Sequence, residues 1–215
     1  MRSERKVNKS VRIKICGITR YEDARVAANL GVDALGFIFY SQSPRYISAV
    51  NAAQIIKKLP PFVSKVGVFV DETIERVIEV IKIAGLDTVQ LHGNESPEYC
   101  AAMPVPVIKV FSIHDESDLS GISSYKTAGY LLDTWSPDRK GGTGKVFNWS
   151  VAVKACGLYD TVILSGGLGP SNLLEAIDTV RPFAVDVNSG VEISPGIKSP
   201  PKMKDAVSIV KGFKG

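Results

Sequence analysis

Eight short apolar segments recur along the chain at intervals of about 24 residues, and this spacing constrains the fold more than any other feature. One β-strand, one α-helix and two short loops need about that length. The segments begin near Arg12, Ala34, Ser64, Thr88, Val107, Tyr130, Thr161 and Phe183. They are apolar throughout rather than strictly alternating, which is typical of a parallel sheet covered on its outer face. The sequence therefore predicts an α/β fold with a single (β/α)₈ barrel, whose functional site lies at the carboxyl ends of the strands.

Helical periodicity separates most of the predicted strands, but it is poor between the fifth and the sixth. Residues 73–84 carry apolar side chains at helical spacing and are followed by Gly85, a typical helix stop. Ser48 is expected to cap a second helix that ends before Pro60. Because residues 112–129 lack such a pattern, we expect the fifth helix to be short or irregular.

The chain has 215 residues, which suits one domain near the lower size limit of such barrels. Residues 1–10 include four basic side chains and no apolar stretch, so we expect a frayed N-terminal extension rather than a signal peptide. The barrel domain then covers residues 11–215. No apolar run approaches the about 20 residues of a membrane span, so we expect no membrane partner.

Charge and cysteine usage narrow the partners and the compartment. The net charge of +4 is weak and scattered, which argues against a nucleic-acid partner and slightly favours a small anionic substrate. The three cysteines do not form an even disulfide framework, so we expect reduced thiols and a cytoplasmic location. His92, Cys100 and His114 lack the spacing of metal ligands, and we expect no metal.

Two glycine-rich segments follow the last two predicted strands. Glycine allows backbone N–H groups to approach an anion closely, and barrels commonly bind phosphate at these two loops. The alternative is that these glycines only form tight turns. Two such segments at the two expected places favour a phosphorylated ligand, such as a sugar phosphate. The candidate phosphate-binding residues are Gly166, Gly167, Asp186, Ser189 and Gly190.

Four polar side chains are candidates for contacts with a substrate at the barrel mouth. Asp133 ends strand six and can act as a general acid or base, or as a structural carboxylate that binds loop amides. Cys16 ends strand one, where it is either a general base with a lowered pKa or a buried inert thiol. Arg45 can bind a carboxylate through its planar fork or remain an exposed loop residue. His92 ends strand four, where bonding to neighbouring loops is favoured over contact with substrate.

A polar, glycine-rich loop follows Asp133 and extends to Lys145. Its Gly-Gly-Thr-Gly-Lys stretch is not a nucleotide P-loop, because Arg139 stands at the first glycine position and Val146 replaces the hydroxyl residue that binds Mg²⁺. We expect a mobile lid over the site, with Lys145 as its anchor or simply as a solvated side chain.

Nine segments together resemble the phosphoribosylanthranilate isomerase family of tryptophan biosynthesis. They are KICGIT at 14–19, GFIFY at 36–40, SPR at 43–45, VGVFV at 66–70, VQLHG at 89–93, LDT at 132–134, GGTG at 141–144 with FNW at 147–149, LSGGL at 164–168, and DVNSGVE at 186–192. Any one alone is unspecific, but their order covers nearly the whole chain. One departure is Asn148, where the family usually has Asp, and Asn caps a helix equally well.

The resemblance implies an Amadori rearrangement of N-(5'-phosphoribosyl)anthranilate, without metal or cofactor. It assigns Asp133 as the general acid, Cys16 as the general base and Arg45 as the partner of the anthranilate carboxylate. The protein would be a monomer or a homodimer. One alternative is the histidine-pathway isomerase, which runs the same rearrangement but has Asp where this chain has Cys16. The other is a non-catalytic barrel that only binds a phosphorylated ligand.

Overall fold

Eight parallel strands close into a barrel in chain order in the computed structural model, which describes residues 10–113, 115–134 and 149–213. The barrel predicted from the spacing of apolar segments is therefore confirmed. The strands are β1 (Arg12–Ile15), β2 (Ala34–Ile38), β3 (Ser64–Phe69), β4 (Thr88–Leu91), β5 (Val107–Ile113), β6 (Gly129–Thr134), β7 (Val162–Leu164) and β8 (Ala184–Val187). The predicted N-terminal extension and the predicted lid after Asp133 fall almost wholly outside the described residues.

Local sequence signals set the helix ends. The side chains of Ser48, Thr73 and Ser96 each accept a hydrogen bond from a backbone N–H of the first helical turn, as expected of N-caps. Gly85 ends α3 in a left-handed conformation with φ of 70°. The described α-helices are α1 (Tyr21–Asn29), α2 (Ala49–Ile56), α3 (Ile74–Ala84), α4 (Pro97–Ala101), α5 (Trp149–Leu158), α6 (Leu173–Val180) and α7 (Pro200–Gly212).

The connection between β5 and β6 is a 3₁₀-helix over Glu116–Ser124, which confirms the expected irregular fifth helix. This segment is rich in serine, which competes with helical hydrogen bonds through its side chain. Leu119 and Ile122 are its buried residues, three positions apart, and this spacing matches the three residues per turn of a 3₁₀-helix.

Two features of the sheet differ from the sequence prediction. The apolar runs predict strands over 107–111 and 130–132, but β5 and β6 each continue two residues further. Their ladder extends through the pairs Ser112–Asp133 and Ile113–Thr134. Asp133 is therefore a member of β6 rather than the residue after a strand that ends at Leu132. After β8, two short antiparallel strands form a hairpin that no apolar run indicated: β9 (Glu192–Ser194) and β10 (Ile197–Lys198).

Two apolar cores lie on opposite sides of the barrel wall. Val110, Leu131, Ile163 and Ala184 are successive register partners on β5 to β8 and form a small cluster of their own inside the barrel. The much larger core lies between the sheet and the surrounding helices. Because side chains alternate along a strand, the positions two residues after the interior cluster also point inward, towards the carboxyl end of the barrel.

The loops after β7 and β8 are in backbone contact, which predicts that Gly190→Ala destabilises the protein. An added Cβ at Gly190 would lie 2.1 Å from the carbonyl oxygen of Leu168 and 2.8 Å from the Cα of Gly169, so the two loops would have to separate. We expect the free energy of unfolding to fall by about 1–3 kcal/mol in urea denaturation.

Gly157→Ala, in α5, is the matched control. Its added Cβ meets no atom within 4 Å, so alanine should stabilise the helix by about 0.5–1 kcal/mol. If Gly190→Ala were as stable as the wild type, the close packing of the two loops would be wrong.

Candidate active site

The barrel register turns the side chains of Cys16 and Asp133 towards the barrel interior. Asp133 and Asp186 each lie two residues beyond a member of the interior cluster and therefore point inward. Lys14 is the register partner of Asp186, and Cys16 follows Lys14 by two residues on the same face. β1 and β6 lie on nearly opposite sides of the closed barrel. A ligand in the mouth can therefore lie between the thiol and the carboxylate.

Lys14 and Asp186 form a buried ion pair across the seam between β1 and β8. The Nζ–Oδ2 distance is 2.8 Å, and each side chain is 5% exposed. Burial alone would lower the pKa of Lys14, but the charges and hydrogen bonds of Asp186 and Cys16 together outweigh this effect, so that the pKa is raised. The other Asp186 oxygen, Oδ1, is buried and accepts no hydrogen bond from the described residues. The Asp186 carboxylate, predicted to belong to the phosphate loops, thus binds Lys14 inside the barrel.

Cys16 is buried beside this ion pair, with 4% of its surface exposed. Burial raises the pKa of its thiol, while the positive charges of Lys14 and Lys198 act in the opposite direction. The predicted role of Cys16 as a general base requires a lowered thiol pKa. Burial opposes that lowering, whereas Lys14 and Lys198 favour it.

His92 lies beside Asp133 at the mouth. Its Nε2 is 3.3 Å from Asp133 Oδ2, and about a third of each side chain is exposed. The sequence favours bonding of His92 to neighbouring loops, and the described side-chain contact of His92 is with Asp133 on β6, a candidate catalytic carboxylate. An imidazole that carries its proton on Nε2 can donate towards Asp133 Oδ2, which leaves the other carboxyl oxygen to carry the acid proton.

Arg45 binds the carboxylate of Glu192, a residue for which the sequence indicated no role. Arg45 Nε lies 2.9 Å from Glu192 Oε1, and Nη2 lies 2.7 Å from Oε2. The fully buried Lys198 donates to Glu192 Oε1 at 2.8 Å and to Asn188 Oδ1 at 2.9 Å. Burial would raise the pKa of Glu192, but the hydrogen bonds from Arg45 and Lys198 outweigh it and lower the pKa. This network ties the loop after β2 to the hairpin after β8.

The two glycine-rich loops present backbone amides at the carboxyl ends of β7 and β8. Gly166 and Gly167 have φ of 95° and 64°, and no described acceptor binds the N–H of either residue. Asn172 shapes this loop, because its Oδ1 accepts from Gly169 N–H at 2.9 Å and its Nδ2 donates to the Gly167 carbonyl. Ser189–Val191 forms a short 3₁₀-helix in the second loop. Free amides in such concave turns can bind an anion.

The sequence placed every candidate residue except Arg45 at a strand end or directly after one. Glu192 and Lys198 were missed, and so was the pairing of Lys14. Glu192 and Lys14 both lie inside segments that carried the family resemblance. Their partners, Arg45 and Asp186, are 147 and 172 positions away in the chain, so no local pattern indicates either pairing. The register of the closed barrel supplies that information.

Within residues 10–113, 115–134 and 149–213, no group of three His, Cys, Asp or Glu side chains could hold a metal ion. Over the same ranges, no helix has the length and apolar character needed to cross a membrane. The absence of a metal and of a cofactor stays a prediction.

Comparison with known proteins gives one consistent family. The model for N-(5'-phosphoribosyl)anthranilate (PRA) isomerase matches residues 13–208. The N-(5'-phosphoribosyl)anthranilate isomerase of Citrifermentans bemidjiense is 48% identical over 200 residues, which is 93% of this chain and 97% of that protein.

Two solved structures share both the sequence and the fold. The first is a phosphoribosylanthranilate isomerase in complex with reduced 1-(o-carboxyphenylamino)-1-deoxyribulose 5-phosphate (43% identity, TM-score 0.85, 94% of this chain and 100% of that chain). The second shows monomers generated from the dimeric enzyme of Thermotoga maritima (42% identity, TM-score 0.85, 94% and 100%). The barrel and these matches over nearly the whole length show that this chain belongs to the N-(5'-phosphoribosyl)anthranilate isomerase family, the isomerases of tryptophan biosynthesis.

Proposed function

We propose that the chain converts N-(5'-phosphoribosyl)anthranilate into 1-(2-carboxyphenylamino)-1-deoxyribulose 5-phosphate with Asp133 as general acid and Cys16 as general base. The observation that carries this assignment is the inward orientation of both side chains near the carboxyl ends of β1 and β6. The solved relative that holds the reduced product supports the choice of substrate.

The phosphate end of the substrate anchors at the loops after β7 and β8. The free amides of Gly166 and Gly167 and the 3₁₀ turn that starts at Ser189 provide the donors. Backbone donors at this rim suit a phosphate dianion better than the Asp186 carboxylate, which would repel it and already binds Lys14. The sugar then extends from this rim across the mouth.

Arg45 binds the carboxylate of the anthranilate ring. Glu192 occupies one edge of the guanidinium, through Nε and one N–H of Nη2. A guanidinium has five N–H groups, so three remain for the substrate. Because Glu192 also binds the buried Lys198, it fixes the orientation of Arg45 and offsets only part of the local positive charge.

Ring opening begins at Asp133. Its protonated form donates to the furanose ring oxygen, the bond from C1 to that oxygen breaks, and a cationic Schiff base forms between C1 and the anthranilate nitrogen. His92, at 3.3 Å from Asp133, can keep the carboxyl group oriented during this step. The cationic imine acidifies the proton on the sugar C2.

Cys16, as thiolate, removes that proton. The S–H bond forms, the C2–H bond breaks, and its electron pair becomes the C1–C2 double bond of an enolamine while the nitrogen is neutralised. Tautomerisation of the enolamine gives the ketone product. The sequence has a thiol at this position, where the histidine-pathway isomerases have Asp, which favours the anthranilate substrate over its histidine-pathway counterpart.

Replacing either proton-transfer group should abolish most turnover. We expect Cys16→Ala and Asp133→Asn each to lower kcat by about 10²–10⁴-fold with little change in KM, because each group acts in proton transfer. Fluorescence-monitored turnover of freshly generated phosphoribosylanthranilate measures both constants. Cys100→Ala, which removes a buried thiol in α4, is the control and should keep wild-type kcat. Near-normal turnover of Cys16→Ala would remove the thiol from the mechanism, and near-normal turnover of Asp133→Asn would point to another acid.

Arg45→Ala should act mainly on binding. Loss of a charge-assisted contact to the substrate carboxylate should raise KM by about tenfold or more, with a smaller effect on kcat. Arg76→Ala is the control, because Arg76 is an exposed residue of α3 that pairs with Glu79. The assignment of the carboxylate to Arg45 is wrong if its alanine variant keeps the wild-type KM.

We also propose that residues 11–215 form one catalytic domain and that the enzyme acts in the cytoplasm. None of the three cysteines is paired in a disulfide, which supports this location.

The proposed assembly is a homodimer that associates through the amino-terminal face of the barrel. A cavity of about 630 Å³ opens at the amino ends of β1, β2 and β3, opposite to the candidate active site, and Phe62 on its rim is 98% exposed. A twofold axis can seat the Phe62 of each subunit against the cavity of its partner. The Thermotoga relative is dimeric.

The assembly is tested by one surface substitution. Phe62→Ser should convert a dimer into a monomer in analytical ultracentrifugation, because it removes the exposed aromatic side chain from the proposed interface. Leu158→Ser is the matched control, since Leu158 is 67% exposed at the end of α5, outside that cavity. A wild-type monomer at micromolar concentration, or a dimer that persists in Phe62→Ser, would contradict this interface.

A further inference from the structure

We propose that Lys14, held in place by Asp186, is a positioning residue that presents a fixed positive charge to the Cys16 thiolate. This inference rests on the proposed role of Cys16 as the general base. It assigns a task to a buried ion pair between two barrel strands, β1 and β8, which the reaction scheme above does not use.

The backbone brings Lys14 and Cys16 to one spot above Gly36. Lys14 lies on the inner face of β1, Cys16 lies two residues further, directly after the strand, and Gly36 lies on the neighbouring strand β2. A Cβ added at Gly36 would lie 2.7 Å from Cys16 Sγ and 3.1 Å from Lys14 Cε. The sulfur and the end of the lysine side chain therefore converge in the space that the absent side chain of Gly36 leaves open.

Asp186 fixes the lysine in this position. The pair is almost inaccessible to solvent, so the Lys14 ammonium cannot turn towards water. The raised pKa of Lys14 keeps the side chain charged at neutral pH. A lysine side chain that is charged, immobile and beside the sulfur differs from a surface lysine, whose charge would be screened by water.

Three charged groups face the Cys16 sulfur, one from each of three elements. Lys14 on β1 and Lys198 on β10 favour the thiolate, whereas Asp186 on β8 disfavours it. Lys198 is 2.8 Å from the Glu192 carboxylate, which offsets its charge. Lys14 is paired too, but its effect on Cys16 exceeds that of Asp186 and includes a hydrogen bond as well as charge. Lys14 is therefore the main group that opposes the increase in the Cys16 pKa caused by burial.

This role needs no proton exchange by the lysine. The thiolate takes the C2 proton and becomes a neutral thiol, while Lys14 remains an ammonium before and after the step. Its charge lowers the free energy of the thiolate form, and so it increases the fraction of protein ready to react. The activity of the enzyme should then depend on pH through the Cys16 thiol.

The direct test is a titration of the thiol in the free protein, labelled with ¹³Cβ-cysteine and followed by NMR. In Lys14→Met the pKa of Cys16 should rise by about one to three pH units, because an opposite charge has been removed. In Asp186→Asn it should fall, because the anion that disfavours the thiolate is gone while the amide preserves the shape. Cys100 and Cys156 are internal controls, since Lys14 does not act on either thiol.

Loss of the fold in one single variant does not block the test. The double variant Lys14→Met/Asp186→Asn removes both charges and leaves no unpaired ion, and its Cys16 pKa should still rise because the effect of Lys14 is the larger one. The acid limb of the kcat/KM profile should move in the same direction as the titrated thiol. An unchanged Cys16 pKa in Lys14→Met and in the double variant would overturn the proposal. The titration needs no substrate, so its result does not depend on whether Cys16 is the general base. The turnover of Cys16→Ala tests that catalytic role separately.

Discussion

The pairing of β8 with β1 is the constraint on which the site depends. Four register pairs, from Arg12–Ala184 to Ile15–Val187, close the barrel at this seam. A shift of one residue would turn every side chain of one strand to the other face. The register therefore places Lys14 opposite Asp186, and it brings Cys16 and the loop after β8, a candidate phosphate-binding segment, to neighbouring positions of the same rim.

The barrel interior changes character along its axis. Apolar side chains line the half near the amino ends, where the cavity opens, whereas ion pairs occupy the half near the carboxyl ends. Buried ion pairs contribute little net stability, because each charge loses its hydration. Those at Lys14–Asp186 and at Arg45–Glu192–Lys198 instead hold charged groups at fixed places around the mouth. The apolar half supplies the rigid support for that arrangement.

The structural features that could be predicted from the sequence are those determined by local patterns of apolar and polar residues. Apolar spacing gave the barrel and the positions of Cys16 and Asp133, since a strand end is visible in sequence as a change from apolar to polar residues. The same criterion failed at β6, because Asp133 is polar and yet continues the ladder to β5. The β9–β10 hairpin was missed because strands of three and two residues are too short for a periodic signal.

The sequence contains no local signal for contacts that form only when the barrel closes. Arg45 and Glu192 are 147 positions apart, so a pattern within one segment indicates that an arginine is present but does not identify its partner. The charge environment of Cys16 is also a property of three elements together, β1, β8 and β10. The family resemblance named Cys16 and Asp133 as candidate catalytic residues, whereas only the structure shows what surrounds them.

The most direct measurement is a crystal structure of this protein with reduced 1-(o-carboxyphenylamino)-1-deoxyribulose 5-phosphate, the ligand of a solved relative. The account predicts the phosphate on the amides of Gly166 and Gly167, and the sugar between Cys16 Sγ and the Asp133 carboxylate. A ligand bound in the barrel mouth that contacts neither of these two side chains would contradict it.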